Sequence, residues 1–194
     1  MNEGHEQFCA SDEWRAELRT NILPTILGAT DLGSDLLEVG PGYGATTDYL
    51  RELVERVTAV EIHPELAERL ADRYAGTNVQ VTCGDATALD FDDDRFTGAT
   101  SFFMLHHVPS PELQDRLFAE VARVLQPGAV FVAADSMASD GLREFHHDDV
   151  YQPIDPATLS DRLRSAGFAD VDVTVYLDQG WNLTARKPNP ELAS

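Results

Sequence analysis

The chain has 194 residues, 43% of them hydrophobic, which suits one globular domain with a full core. Its formal net charge is −20, from 34 acidic against 14 basic residues, and this opposes binding to nucleic acids or to anionic membrane surfaces. No run of about 18 apolar residues is present, so no membrane span is expected.

Residues 1–10 are polar and acidic and do not resemble a signal peptide. Of the basic residues only Lys187 is lysine, a bias shared by high-salt proteins and by GC-rich genomes. Cys9 and Cys83 lie far apart, and Cys83 sits in an apolar strand pattern, so a buried free thiol, no disulfide and a reducing cytoplasm are expected. A helix is predicted from about Ser11, capped by Ser11 or Asp12, with Trp14, Leu18, Ile22 and Ile26 as an apolar stripe at spacing four. Pro24 falls inside the stripe and should kink or break it. The segment precedes the first strand and is read as a helical extension over residues 1–30, either a cap over a cleft or packing on the sheet edge.

Residues 36–39 then read as a short buried strand, followed by Gly40, Gly42 and Gly44 at alternate positions and a helix from about Tyr43 with Leu50, Leu53 and Val54 inward. Glycine accepts positive φ in such a turn and lets a ligand approach the main chain closely. A strand, a glycine turn and a helix start place unpaired N–H groups at the carboxyl edge of a sheet, where open α/β folds bind nucleotides. Gly40-x-Gly42-x-x-Ala45 also fits the relaxed dinucleotide fingerprint. Two residues favour another ligand. Glu38 in the strand end would repel a pyrophosphate and suits a cationic amino group. Pro41 removes an N–H that a phosphate would use.

The second strand, 57–61, ends in Glu61, 21 residues after Gly40, where a carboxylate can accept from both ribose hydroxyls. His63-Pro64 opens a helix with Leu66, Leu70 and Tyr74 inward, and His63 is expected to face solvent. The third strand, Val79–Cys83, is followed by Gly84-Asp85-Ala86, an acid beside the second strand's acid and placed to accept from an exocyclic amine. The acidic run 90–94 is read as a solvated turn, since it lacks calcium-loop spacing. Residues 99–105 form a fourth strand buried on both faces, ending in His106-His107-Val108-Pro109. No zinc spacing accompanies these histidines, so no metal is expected, while a general base remains possible for one of them.

Pro111 starts a helix with Leu113, Leu117, Val121 and Leu125 inward, ended by Pro127-Gly128, and 129–133 is the fifth strand. Strict alternation of strands and helices calls for a parallel sheet with right-handed crossovers. Residues 135–154 break the pattern. They carry Met137, Phe145, His146, His147, Asp148, Asp149 and Tyr151 and read as a lid or binding loop for a second substrate. Pro156 opens a helix with Leu159 and Leu163, closed by Gly167. Val171, Val173 and Val175 alternate as a sixth strand, Asp178-Gln179-Gly180 turns, and 181–185 returns antiparallel. The tail 188–194 is expected to fray.

In order and spacing, Glu38-x-Gly40-x-Gly42-x-Gly44, Glu61, Gly84-Asp85-Ala86, Leu105-His106-His107-Val108, Leu125-x-Pro127-Gly128 and the terminal hairpin resemble class I S-adenosylmethionine-dependent methyltransferases. The Leu-His-His element resembles the ubiquinone-biosynthesis type branch. The resemblance covers about residues 36–185. It implies a single Rossmann-like α/β domain (residues 31–187) with a mixed seven-stranded sheet of order 3-2-1-4-5-7-6. Strand seven would be antiparallel, with helices on both faces. It also implies S-adenosylmethionine as cofactor, with Glu38, Gly40 and Gly42 at the methionine end, Glu61 at the ribose, Asp85 and Ala86 at the adenine, Phe102 and Phe103 near the methyl group, and Ile62 among the cofactor-binding residues. The acceptor is expected to be a small molecule, with neither nucleic acid nor membrane as partner. His106, His107, His146 and Tyr151 are the candidate bases. A nicotinamide-dependent oxidoreductase and a non-catalytic S-adenosylmethionine-binding protein are the alternatives.

Overall fold

The computed structural model describes residues 2–176 and 179–190. Seven strands form one sheet: β1 Asp35–Val39, β2 Arg56–Glu61, β3 Val79–Cys83, β4 Phe96–Phe102, β5 Leu125–Ser136, β6 Ala169–Tyr176 and β7 Gly180–Arg186. Their order is β3-β2-β1-β4-β5-β7-β6, with β7 antiparallel to both neighbours and the β1–β5 pairings parallel, as expected. β1 is buried along its whole length because strands flank it on both edges and helices cover both faces.

Alternation along the strands divides the core into two layers. Leu37, Val39, Phe131 and Ala133 point to the layer completed by α6 (Pro111–Val124) and α8 (Pro156–Ser165). Leu36, Val130, Val132 and Ala134 point to the other, completed by the N-terminal helices, α4 (Ala45–Leu50) and α5 (Pro64–Arg73). Ser110 and Asp155 cap α6 and α8, each followed by proline at the start of the helix, where the missing N–H costs nothing.

The N-terminal segment is divided more finely than a helix from about Ser11, kinked or broken at Pro24. It contains α1 (Glu3–Cys9), α2 (Asp12–Glu17), a π-helical turn (Leu18–Ile22) and α3 (Leu23–Leu27). Pro24 explains the π turn: it has no N–H for an ordinary helical bond, and Leu23 N–H instead bonds the Leu18 carbonyl five residues back. α1 precedes Ser11, the point from which the helix was expected to begin.

Other differences are local. α4 ends at Leu50, which leaves Leu53 exposed. β4 ends at Phe102, and residues 105–107 form a 3₁₀ turn instead of strand. β5 begins at Leu125, so Pro127-Gly128 lies within it at a register shift against β4 rather than ending the helix. Cys83 is exposed, because β3 is an edge strand. Val175 is exposed near the end of the opposite edge strand. In the acidic run, Asp93 pairs with Arg123 and Asp94 with Lys187, each at 2.7 Å. Asp178 of the expected turn and residues 191–194 of the expected tail lie outside the described residues. No helix among the described residues is long and apolar enough to cross a membrane.

Candidate functional site

A cavity of about 520 Å³ opens at the carboxyl edge of the sheet, above the turn between β1 and α4. Gly40, Gly42 and Gly44 all have positive φ. At Gly40 a Cβ would stand 2.2 Å from Met104 Cγ, so packing as well as φ requires glycine. At Gly42, which lines the cavity, a Cβ would meet no atom within 4 Å, so the turn leaves space there for a ligand to approach the main chain.

Gly42, Glu61, Ile62, Asp85, Ala86 and Phe102 all line this cavity, as does Gly40. Glu61 is buried at the end of β2, and its Oε1 accepts from the His63 N–H at 3.0 Å. Its other oxygen has no protein partner among the described residues. Asp85 is exposed, and its Oδ1 accepts from the Thr87 N–H at 2.8 Å, which fixes the carboxylate in an Asx turn.

Glu38 is the exception. It is 1% exposed and does not line the cavity. Its Oε1 accepts from Thr46 Oγ1 at 2.5 Å and its Oε2 from Thr47 Oγ1 at 2.7 Å. The carboxylate therefore braces the glycine turn against the first residues of α4, in place of the direct ligand contact expected. Burial pushes its carboxyl up to about 7, against the lowering effect of both hydroxyls.

The segment 135–154 contains α7 (Asp140–Phe145), capped by Ser139, and it packs on α1. One side chain ties the two together. Asn2 Oδ1 accepts from the His5 N–H at 3.0 Å, while its Nδ2 donates to the carbonyls of Phe145 at 2.8 Å and His147 at 3.1 Å. Phe145 contacts the rings of His5 and Phe8, and Trp14 packs edge-on against Phe103. Phe8, Trp14, Phe103, Leu142, Phe145 and Val150 thus form an apolar wall of the cavity, built by the extension, the residue after β4 and the loop.

Three of the four candidate bases, His106, His107 and His146, line the cavity. Tyr151 lies behind them, stacked on His146 with centroids 4.8 Å apart, and does not line it. His106 Nδ1 is 2.6 Å from Asp135 Oδ1, and its Nε2 is 3.0 Å from His146 Nε2. Sequence reasoning missed His5, which is buried and whose Nδ1 is 3.1 Å from Asp149 Oδ2. The available signal was Asn2 as a helix cap with Glu3 and Glu6 behind it, which puts His5 and Phe8 on one helical face.

A family model described as a methyltransferase domain matches residues 37–133, half of the chain. Among curated proteins, 24-methylenesterol C-methyltransferase 3 of Arabidopsis thaliana is 30% identical over 150 residues, 73% of this chain and 40% of that protein. Ribosomal RNA small subunit methyltransferase A of Cupriavidus necator is 51% identical over 57 residues, 29% of this chain and 20% of that protein. The chain spans well under half the length of these curated relatives. A crystal structure of a SAM dependent methyltransferase from Aquifex aeolicus superposes with TM-score 0.75 at 17% identity, covering 96% of this chain and 99% of that one.

Proposed function

We propose, from the premise that this chain belongs to the methyltransferase-domain family, that its cavity binds S-adenosylmethionine and that the chain transfers the methyl group to a small apolar acceptor. One observation carries the reading: Gly42, Glu61 and Asp85, at or just beyond the ends of three neighbouring strands, line one cavity. The donor set suits a nucleoside with an amino acid tail. Glu61 offers a fixed carboxylate to ribose hydroxyls, Asp85 and the Ala86 backbone a face for adenine, and the turn at Gly40 and Gly42 a close main-chain approach. Glu38 acts one step back, holding the turn through Thr46 and Thr47.

When bound, S-adenosylmethionine supplies a methyl group already activated on a sulfonium. What remains for the protein is to hold donor and acceptor in line and to exclude water, and orientation of this kind lowers barriers by several kcal/mol. The aromatic wall from Phe8, Trp14, Phe103 and Phe145 supports an apolar acceptor. The net charge of −20 disfavours an RNA acceptor, for want of groups to neutralise phosphates. His106, His107 and His146 line the cavity, which supports one of them taking an acceptor proton where the acceptor carries one.

Calorimetry with S-adenosylmethionine, S-adenosylhomocysteine and NAD tests the reading. The first two are expected to bind and NAD to fail; binding of NAD alone would overturn it in favour of an oxidoreductase.

A further inference from the structure

Four of the six histidines in the chain meet at one place, where α1, the turn after β4 and the end of α7 converge. Each ring has its Nδ1 beside an oxygen: His5 beside Asp149 at 3.1 Å, His106 beside Asp135 at 2.6 Å, His107 beside the Val150 carbonyl at 3.2 Å and His146 beside the Leu142 carbonyl at 2.7 Å. Ionised carboxylates and carbonyls only accept, so Nδ1 carries the hydrogen in each neutral ring. All four Nε2 atoms are then left with lone pairs. His106 and His146 point theirs at each other across 3.0 Å, an arrangement that is repulsive unless something positive lies between or beside them.

We propose that this cluster is a binding site for a divalent transition metal of the imidazole-preferring kind, with His5, His107 and His146 as ligands and His106 beside His146. One ring nitrogen from each of His5, His107 and His146 lies within 4.8 Å of the other two. Tetrahedral zinc with bonds of about 2.0–2.1 Å spaces its nitrogens about 3.4 Å apart, so the site closes by a shift of roughly an ångström. An Nδ1–H held by a carboxylate or carbonyl is the outer-shell pattern that orients metal-binding imidazoles. A shared proton is the competing way to relieve the facing lone pairs. Stoichiometric Zn²⁺ binding by the parent chain distinguishes the two. The sequence spacing hides this site, because His5 is contributed by α1 from the far end of the chain.

A metal here would join the N-terminal extension to the loop that follows β5 and sit at the edge of the cavity, beside its apolar wall. The proposal concerns metal binding alone and stands apart from the identity of the methyl donor.

The test uses the full chain, free of any histidine tag and stripped with chelator, titrated with Zn²⁺ by calorimetry and with Co²⁺ by visible absorption. One equivalent of each is expected, with the intense visible bands of low-coordinate Co²⁺. His5→Ala and His146→Ala should lose stoichiometric binding. Asp149→Asn, which weakens the acceptor for the His5 Nδ1–H, should weaken Zn²⁺ about tenfold or more. His147→Ala, an exposed neighbour, should bind as the parent does. Absence of binding in the parent chain, or unchanged binding in both His5→Ala and His146→Ala, overturns the proposal. Should His146→Ala fail to fold, the parent titration and His5→Ala on the peripheral α1 still decide it. Donor calorimetry on the same samples keeps loss of metal separate from loss of the S-adenosylmethionine site.

Discussion

Arg15 of α2 donates through Nη1 to Asp48 Oδ2 of α4 at 2.5 Å, and so pins the N-terminal extension to the helix that begins at the glycine turn. Asp48 is a hub. Arg73 Nη2 donates to the same oxygen at 2.5 Å, and the Tyr74 hydroxyl donates to Oδ1 at 2.9 Å. Arg15 and Asp48 are each about one-quarter exposed, so the pair alone contributes no more than about 1 kcal/mol. Its importance is positional. Arg15→Ala is expected to leave the melting temperature within a few degrees of the parent while speeding limited proteolysis within residues 1–27. Asp48→Ala, which also strips Tyr74 and Arg73 of a partner, should cost about 1–3 kcal/mol by denaturant titration. Equal effects of the two variants would contradict the hub.

Glu38 predicts a pH dependence. Its folded-state value of about 7 stands above its ordinary 4.5. The folded chain therefore keeps a proton that the unfolded chain releases. The sign follows: the stabilisation is fully present below about 4.5 and is lost as pH rises through about 7. The loss across that window is on the order of 3 kcal/mol. Glu38→Gln, which cannot ionise, removes this component. The parent should lose stability relative to Glu38→Gln between pH 5 and pH 8, as read from urea midpoints. A constant difference across that range would show that the two threonine hydroxyls compensate burial fully.

The two glycines of the turn separate packing from ligand access. Gly40→Ala drives a Cβ against Met104 at positive φ, and should destabilise the chain by about 2–4 kcal/mol through overpacking and backbone strain. Gly42→Ala carries only the backbone component, about 1–2 kcal/mol, since nothing lies within 4 Å. If the turn receives the methionine end of the donor, Gly42→Ala should nonetheless lose donor affinity by more than tenfold. Thermal melting and donor calorimetry on both variants resolve the two effects.

Sequence patterns carried the sheet further than the site. Strict alternation and the terminal hairpin indicated a parallel sheet with an antiparallel last strand, the order β3-β2-β1-β4-β5-β7-β6 came from the family resemblance, and Glu61 and Asp85 could be placed at strand ends because these are local features. What escaped depends on contacts between distant segments. Asn2 bonds Phe145 across 143 positions, so neither α1 nor its packing on α7 has a local signature beyond a cap residue. The orientation of Glu38 was equally hidden. An acid before a glycine turn can face the ligand or the following helix, and the adjacent hydroxyls of Thr46 and Thr47 decide for the helix. Edge position, invisible in a strand's own residues, is what exposes Cys83 and Val175.

The wall shared by α1 and α7 sets the last expectation. Phe145 is half-buried, packs against His5 at 4.7 Å and Phe8 at 5.7 Å between ring centroids, and lines the cavity. On the proposed reading this wall belongs to the acceptor end, so truncating it should leave the nucleoside end intact. A buried aromatic ring contributes about 2–3 kcal/mol of transfer free energy, and a half-buried one about half of that. Phe145→Ala should therefore raise the KM for an apolar acceptor by about tenfold, with donor Kd unchanged. Phe145→Leu, which keeps most of the apolar volume, should recover most of the loss. If Phe145→Ala weakened the donor as much as the acceptor, this wall would belong to the nucleoside end, and the division of the cavity into two halves would fail.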